Sequence, residues 1–215
     1  MMNFSHPPCS QAVDDHATGI CPAMSSVLPP PKMKKWSLVD SRRVGTYSVF
    51  GVDQHRVFDA QGTERRAVFT FACGEWCNVI PITPDNEIVL VWQYRFGTDA
   101  LSLEIPGGVI DRDEKPVDAA RRELLEETGY EADSFETFFA IDPNPALQGN
   151  KCHTFLARGA RHVQAVEFDD LEELEIALLP IAKLERALDD GLIDHALVYG
   201  VLERFLRFWR KQSPS

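Results

Sequence analysis

No stretch of these 215 residues approaches the roughly 18 consecutive apolar positions that a membrane-spanning helix needs. The basic-then-apolar order of a secretory signal is missing near the N-terminus too, so the sequence predicts a cytoplasmic protein with no membrane partner. Positive charge is scarce: 22 Lys and Arg stand against 33 Asp and Glu, a net charge of -11. Nucleic-acid binders hold phosphates with Lys and Arg, so no nucleic-acid partner is expected, and an anionic substrate would need a metal ion as its bridge. Cysteine is sparse, with five at scattered spacing: Cys9, Cys21, Cys73, Cys77 and Cys152. An odd number in a chain of this length points to free thiols rather than a disulfide framework. Cys73 and Cys77 could form half a zinc site, but no second pair at ligand spacing follows, and Trp76 sits between them in a strand-like run. No internal repeat is visible.

What is present reads as a globular protein, 44% hydrophobic and 26% charged, long enough to bury a sizeable core. Residues 1–35 have another texture, with Pro7-Pro8 and Pro29-Pro30-Pro31, and read as a disordered tail. All four methionines (Met1, Met2, Met24, Met33) lie in it, which motivates the hypothesis that translation starts at Met24 or Met33. Finding residues 1–23 in the intact mass of the native protein would refute that start. Residues 36–73 read as a small N-terminal antiparallel β unit, with strands at 47–52, 56–59 and 67–72 and a turn at Gln61-Gly62. Residues 74–212 read as the main domain. Its strands at 76–82 and 87–94 pair as a hairpin, and a helix opened by Pro116 ends at Gly129. Further strands are expected at 137–141, 152–157 and 174–179, then a short helix at 181–188 stopped at Gly191. An amphipathic helix at 195–210 follows, with Val198, Leu202, Phe205 and Trp209 on one stripe. This order predicts a mixed α/β sandwich.

The richest segment runs from Gly108 to Tyr130. On a helix, positions i, i+3 and i+4 share a face, so Glu123, Glu126 and Glu127 project together. Like charges so placed repel by roughly a few tenths of a kcal/mol per pair unless a cation joins them. Val117, Ala120 and Leu124 fall on the opposite face, suited to packing on a sheet. Crowded carboxylates call for a hard divalent ion, and magnesium takes oxygen ligands, keeps several waters and bridges to substrate phosphates. Taken alone, the acidic run would be read as a solvated helix face.

The wider spacing decides the matter. Gly108, five residues, Glu114, seven residues, Arg122-Glu123-Leu124, one residue, Glu126-Glu127, one residue, Gly129 resembles the Nudix box, eight specified positions within 23 residues. Tyr130 departs from the aliphatic residue usual at the end of that pattern. The resemblance implies a Nudix α/β/α sandwich with a mixed sheet, and a hydrolase that directs water at one phosphorus of a nucleoside diphosphate linked to another group. It implies metal ligation by Glu123, Glu126 and Glu127, with Glu104 and Gly107 completing the site, and Mg2+ as cofactor with Mn2+ as a substitute. Arg122 would orient a neighbouring glutamate through a charge-assisted hydrogen bond, Glu114 would close the loop, and Gly108 would permit the backbone turn.

Upstream, Gln93-Tyr94-Arg95 and Leu103-Glu104-Ile105-Pro106-Gly107-Gly108 resemble the ADP-ribose pyrophosphatase branch and its nucleoside diphosphate sugar relatives. That resemblance implies Arg95 on the substrate phosphates and Glu104 near the metals. Pro145, 15 residues past Tyr130, fits a loop proline of this branch that shapes the terminal-ribose pocket, or else an ordinary turn. The acidic run 167–175 resembles the loop supplying a catalytic acid, with Glu172 the first choice of base and Glu173 and Asp170 behind it. Trp76, and Trp36 or Phe50, are candidates for stacking on adenine, with core packing the alternative for each. The branch also implies a homodimer that exchanges N-terminal strands. The expected reaction is magnesium-dependent cleavage of ADP-ribose, or a similar nucleoside diphosphate sugar, to a nucleoside monophosphate and a sugar phosphate. Its rivals are a Nudix enzyme acting on a dinucleoside polyphosphate, a coenzyme or a damaged triphosphate, and a catalytically silent nucleotide-sugar sensor.

Overall fold

The structure, a computed structural model, describes residues 28–166 and 173–212. Most of the predicted tail, Cys9, Cys21, Asp170 and Glu172 lie outside the described residues. Contacts divide the chain into two compact units: the described residues up to Val44 with Asp53–Phe69, and Gly45–Val52 with the chain from Thr70 onward.

Strands β1 (Ser37–Thr46), β2 (Gly51–Phe58) and β3 (Glu64–Ala72) form a three-stranded sheet in that order. The sequence pattern missed β1 because it has no buried face: nine of its ten positions are exposed. Polar cross-strand pairs replace apolar ones as its signal. Arg43 Nε lies 2.6 Å from Asp53 Oδ1, and Arg56 lies 2.7 Å from both Asp40 and Glu64. The turn predicted at Gln61-Gly62 is built by Asp59, whose Oδ1 accepts the N–H groups of Gln61 and Thr63 at 2.9 Å each.

The second unit holds a six-stranded mixed sheet. Its order is β11 (Leu174–Pro180), β5 (Glu87–Arg95), β4 (Trp76–Ile82), β9 (Cys152–Arg158) and β8 (Ser134–Ile141), with β6 (Ala100–Glu104) also paired to β5. Strands β4 and β9 run parallel; the other pairs are antiparallel. A separate two-stranded ladder joins β7 (Tyr130–Glu131) to β10 (Arg161–His162). Neighbouring residues of a strand point to opposite faces, and the central strands are buried on both. Val79 therefore joins Ala119, Ala120 and Leu124 of helix α1 (Pro116–Thr128) on one side of the sheet. Ile80 joins Leu184 and Leu188 of α2 (Leu184–Asp189) and Val201, Leu202 and Phe205 of α3 (Ala196–Gln212) on the other. Each fully buried Leu, Ile, Val or Phe contributes roughly 1.5–3 kcal/mol, so α3 is fixed by its apolar stripe rather than by helix propensity. The result is the expected α/β/α sandwich, and the short predicted helix at 181–188 opens as a 3-10 turn, Ile181–Lys183.

One departure from a regular sheet positions the site. Strands β4 and β5 pair only at Ile82 and Ile88, then separate. Beyond that point β6 occupies the flank of β5, with Glu104 opposite Val91. The chain leaving β6 then runs beside β4: Val79 N–H donates to Pro106 O and Cys77 N–H to Gly108 O, both at 2.9 Å. Gly107 is required here by close approach, since a Cβ would stand 2.3 Å from Cys77 O.

Candidate active site

Helix α1 begins at Pro116, whose missing N–H costs nothing in the first turn, and stops at Gly129 in the left-handed conformation (φ 67°), whose N–H reaches Leu125 O at 2.8 Å. Between these ends the box residues assemble around Arg122. Its Nε and Nη2 donate to the two oxygens of Glu114 at 3.1 and 3.0 Å, and its Nη1 donates to Glu123 at 2.8 Å and Glu126 at 3.1 Å. Nη2 also reaches Val109 O at 3.2 Å. One guanidinium therefore fixes three carboxylates and the loop backbone. Hydrogen bonding from Arg122 holds Glu114 below the usual carboxylate range, and Glu114 in turn leads the interactions that raise Arg122.

Two contacts carry this face to the loop after β6. Glu127 Oε2 accepts the Gly107 N–H at 2.9 Å. Glu123 lies against Gly108 so closely that a Cβ there would fall 2.4 Å from its Oε1. The same two glycines line a cleft of about 630 Å3, together with Trp76, Asn78, Arg95, Leu101, Ser102, Glu104 and the segment from Asp194 to Val198. Arg95 forms a two-pronged bond with Glu104, Nε to Oε1 and Nη2 to Oε2, both 2.7 Å. Glu104 is only 3% exposed. Burial alone would raise its pKa, but the Arg95 fork outweighs that, aided by His195 and Ser102, and Glu104 stays below the ordinary carboxylate range.

The structure thus brings Arg95, Glu104, Gly107 and Trp76 to one cleft and sets Glu123 and Glu127 beside its glycine rim. Glu126 is more exposed, with 60% of its side chain open. Pro145 is exposed in the turn closed by Leu147 and Gln148 N–H bonds to Asn144 O, and is not among the cleft residues. Glu173 is exposed just before β11. Trp36 is 50% exposed, while Phe50 is half-buried against Tyr47 and Phe71. Asn78, Ser102 and His195 are cleft residues that sequence reasoning did not single out. Asn78 had a signal: it is the one amide-bearing residue in an otherwise apolar, buried strand. Cys77 and Cys152 also border the cleft as free thiols, and burial pushes them up to about 12 and about 11, so both stay protonated and unreactive near neutrality.

Among the described residues, no three His, Cys, Asp or Glu side chains converge closely enough to hold an ion by themselves. Magnesium does not demand that: it keeps several waters and takes one or two carboxylates, the rest coming from substrate phosphate. Carboxylate oxygens on one helix face, oriented by Arg122 and by the Gly107 amide, are the right donor chemistry for it.

A model of the NUDIX domain matches residues 77–199. The methanol dehydrogenase activator of Bacillus methanolicus is 38% identical over 104 residues, which are 46% of this chain and 56% of that protein. The ADP-ribose pyrophosphatase of Bacillus subtilis (strain 168) is 31% identical over 137 residues, 60% of this chain and 73% of the relative. A solved ADP compounds hydrolase superposes with a TM-score of 0.75 at 22% identity, covering 86% of this chain and 99% of its own, a likeness of fold.

Proposed function

The chain belongs to the NUDIX domain family, and from that premise we propose that it hydrolyses the pyrophosphate bond of ADP-ribose or a similar nucleoside diphosphate sugar in the presence of magnesium. The observation that carries the reading is the Gly107 N–H bond to Glu127, which ties the carboxylate face of α1 to the rim of the cleft that holds Arg95. A diphosphate in that cleft lies beside both a guanidinium and the box glutamates.

Glu123, Glu126 and Glu127 would hold magnesium, with Gly107 and Glu104 adjacent; once bound, the ion neutralises charge developing on phosphoryl oxygens and acidifies a water. Arg122 keeps Glu123 and Glu126 aimed through its Nη1 hydrogen bonds. Arg95 spends two N–H groups on Glu104, which leaves Nη1 to meet a phosphate oxygen. Water adds to one phosphorus as that phosphorus loses its bond to the bridging oxygen. Its proton passes to a carboxylate of the acidic loop, Glu172 first, with Glu173 and Asp170 as alternates, and the products are a nucleoside monophosphate and a sugar phosphate.

The test is a panel of ADP-ribose, ADP-glucose, a dinucleotide coenzyme, a dinucleoside polyphosphate and a nucleoside triphosphate, with excess magnesium and product identification. ADP-ribose should give AMP and ribose 5-phosphate. Turnover confined to triphosphates would overturn the reading.

A further inference from the structure

Two residues that line the cleft each carry a buried polar atom that the proposed chemistry does not use. Asn78, on β4, is 7% exposed, and its Oδ1 is buried with no hydrogen-bond partner among the described residues. His195, in the turn before α3, likewise buries Nδ1 without a partner. Both line the cleft that holds Arg95 and Glu104. A buried polar atom stripped of water and left unmatched is costly, so two such atoms on residues lining one cleft point to a ligand that brings hydrogen-bond partners to them.

The character of the lining says which ligand. Asn78 Oδ1 and the Glu104 carboxylate accept, and His195 Nδ1 accepts or donates according to tautomer. The Ser102 hydroxyl is directed to Glu104. Between these groups stand the apolar surfaces of Trp76, Leu101, Leu197 and Val198. An acceptor-rich wall with apolar flanks suits a sugar ring, which offers several hydroxyl donors at its edge and C–H groups on its faces. A purine matches it less well, since it carries at most two or three donors among several ring acceptors. We propose that this cleft seats the sugar half of the nucleoside diphosphate sugar, with Asn78 and His195 as specificity-determining contacts to its hydroxyls. The inference rests on the diphosphate-sugar reading above.

Two measurements test it. The first is the ratio of kcat/KM for ADP-ribose to that for the ethyl ester of ADP, which keeps the adenosine and the diphosphate but has an ethyl group in place of the terminal sugar. Asn78→Ala and His195→Phe should each lower that ratio about fivefold, mainly through KM for ADP-ribose. An unchanged ratio would overturn the proposal. So would a loss that instead follows the base, appearing when adenine is exchanged for hypoxanthine. The second uses the wild-type chain with EDTA present, so that folding of the variants does not enter. Ribose 5-phosphate should shift the Asn78 side-chain amide resonances in a nitrogen-15 correlation spectrum, and no shift at saturating ligand counts against the site. If the wild-type protein cleaves no diphosphate sugar, the proposed function fails; if it cleaves them and the Asn78 resonances ignore ribose 5-phosphate, only the placement of the sugar fails.

Discussion

At the level of single residues, the arrangement separates groups that act from groups that hold them. Glu127→Gln should lower turnover by about a hundredfold or more while circular dichroism and thermal unfolding stay close to wild type, because it removes a charge at a half-buried position and little packing. Near-normal kcat would refute the role given to Glu127. Arg95→Ala tests the opposite case, a charge left behind. Glu104 is 3% exposed and would lose its fork partner, which should cost about 2–3 kcal/mol at pH 7, toward the low end for a broken buried pair because Arg95 is itself partly exposed. The pH dependence has a definite sign. In the wild type the folded pKa of Glu104 is depressed, so its contribution is present above the unfolded value near ~4.3 and is lost as pH falls through the folded value. In Arg95→Ala burial prevails and raises Glu104, so the stability deficit should shrink between pH 7 and pH 5; urea titrations at the two values would reveal a deficit that stays constant. The box residues were legible beforehand because one regular helix sets their spacing. Asn78 and His195 were not, since they lie more than a hundred positions apart and meet only through β4 and the start of α3.

At the scale of elements, the glycine that ends the box and the one just before its start are the sensitive points. Gly129→Ala must hold φ near 67° and would put a Cβ 2.0 Å from Gln164 O, so it should destabilise the fold by roughly 1–3 kcal/mol. Gly107→Ala meets Cys77 O at 2.3 Å, and relief requires the loop to move away from β4, taking with it the N–H that Glu127 accepts. Its signature should be a fall in magnesium affinity larger than the fall in thermal stability would suggest, read by titrating metal against activity. A parallel loss of both would make Gly107 a packing residue only. Helix α1 and strands β4, β5 and β9 could be read from period and run length. Strand β6 could not: its five residues follow β5 after a four-residue turn, and only the separation of β4 from β5 creates the flank it fills.

For the whole molecule, the mixed α/β order was legible because strands and helices keep distinct periods, while sheet order was not, since the parallel β4–β9 pairing joins segments separated by β5, β6, α1, β7 and β8. The first unit presents Trp36, Leu38 and Val44 at 50%, 54% and 45% exposure. The homodimer expected from the resemblance to this branch is a proposal, and these side chains are the candidates to test for its contact. Sedimentation equilibrium at micromolar concentration should return twice the chain mass of 24.2 kDa, and Trp36→Asp with Leu38→Asp should return a single chain; a monomeric wild type would end that expectation.

The insertion of the Pro106–Gly108 segment beside β4 has a kinetic corollary. The amide protons of Cys77 and Val79 sit deep in the central strand, yet their acceptors are Gly108 O and Pro106 O, which belong to the site loop rather than to a neighbouring strand. Their exchange with deuterium is therefore gated by loop departure rather than by unfolding of the sheet, unlike that of Ile82 and Ile88 nearby. Two amides inside the core thus form a native clock for the opening of the loop, readable in the unmodified protein, and occupancy of the glutamate face should slow them selectively.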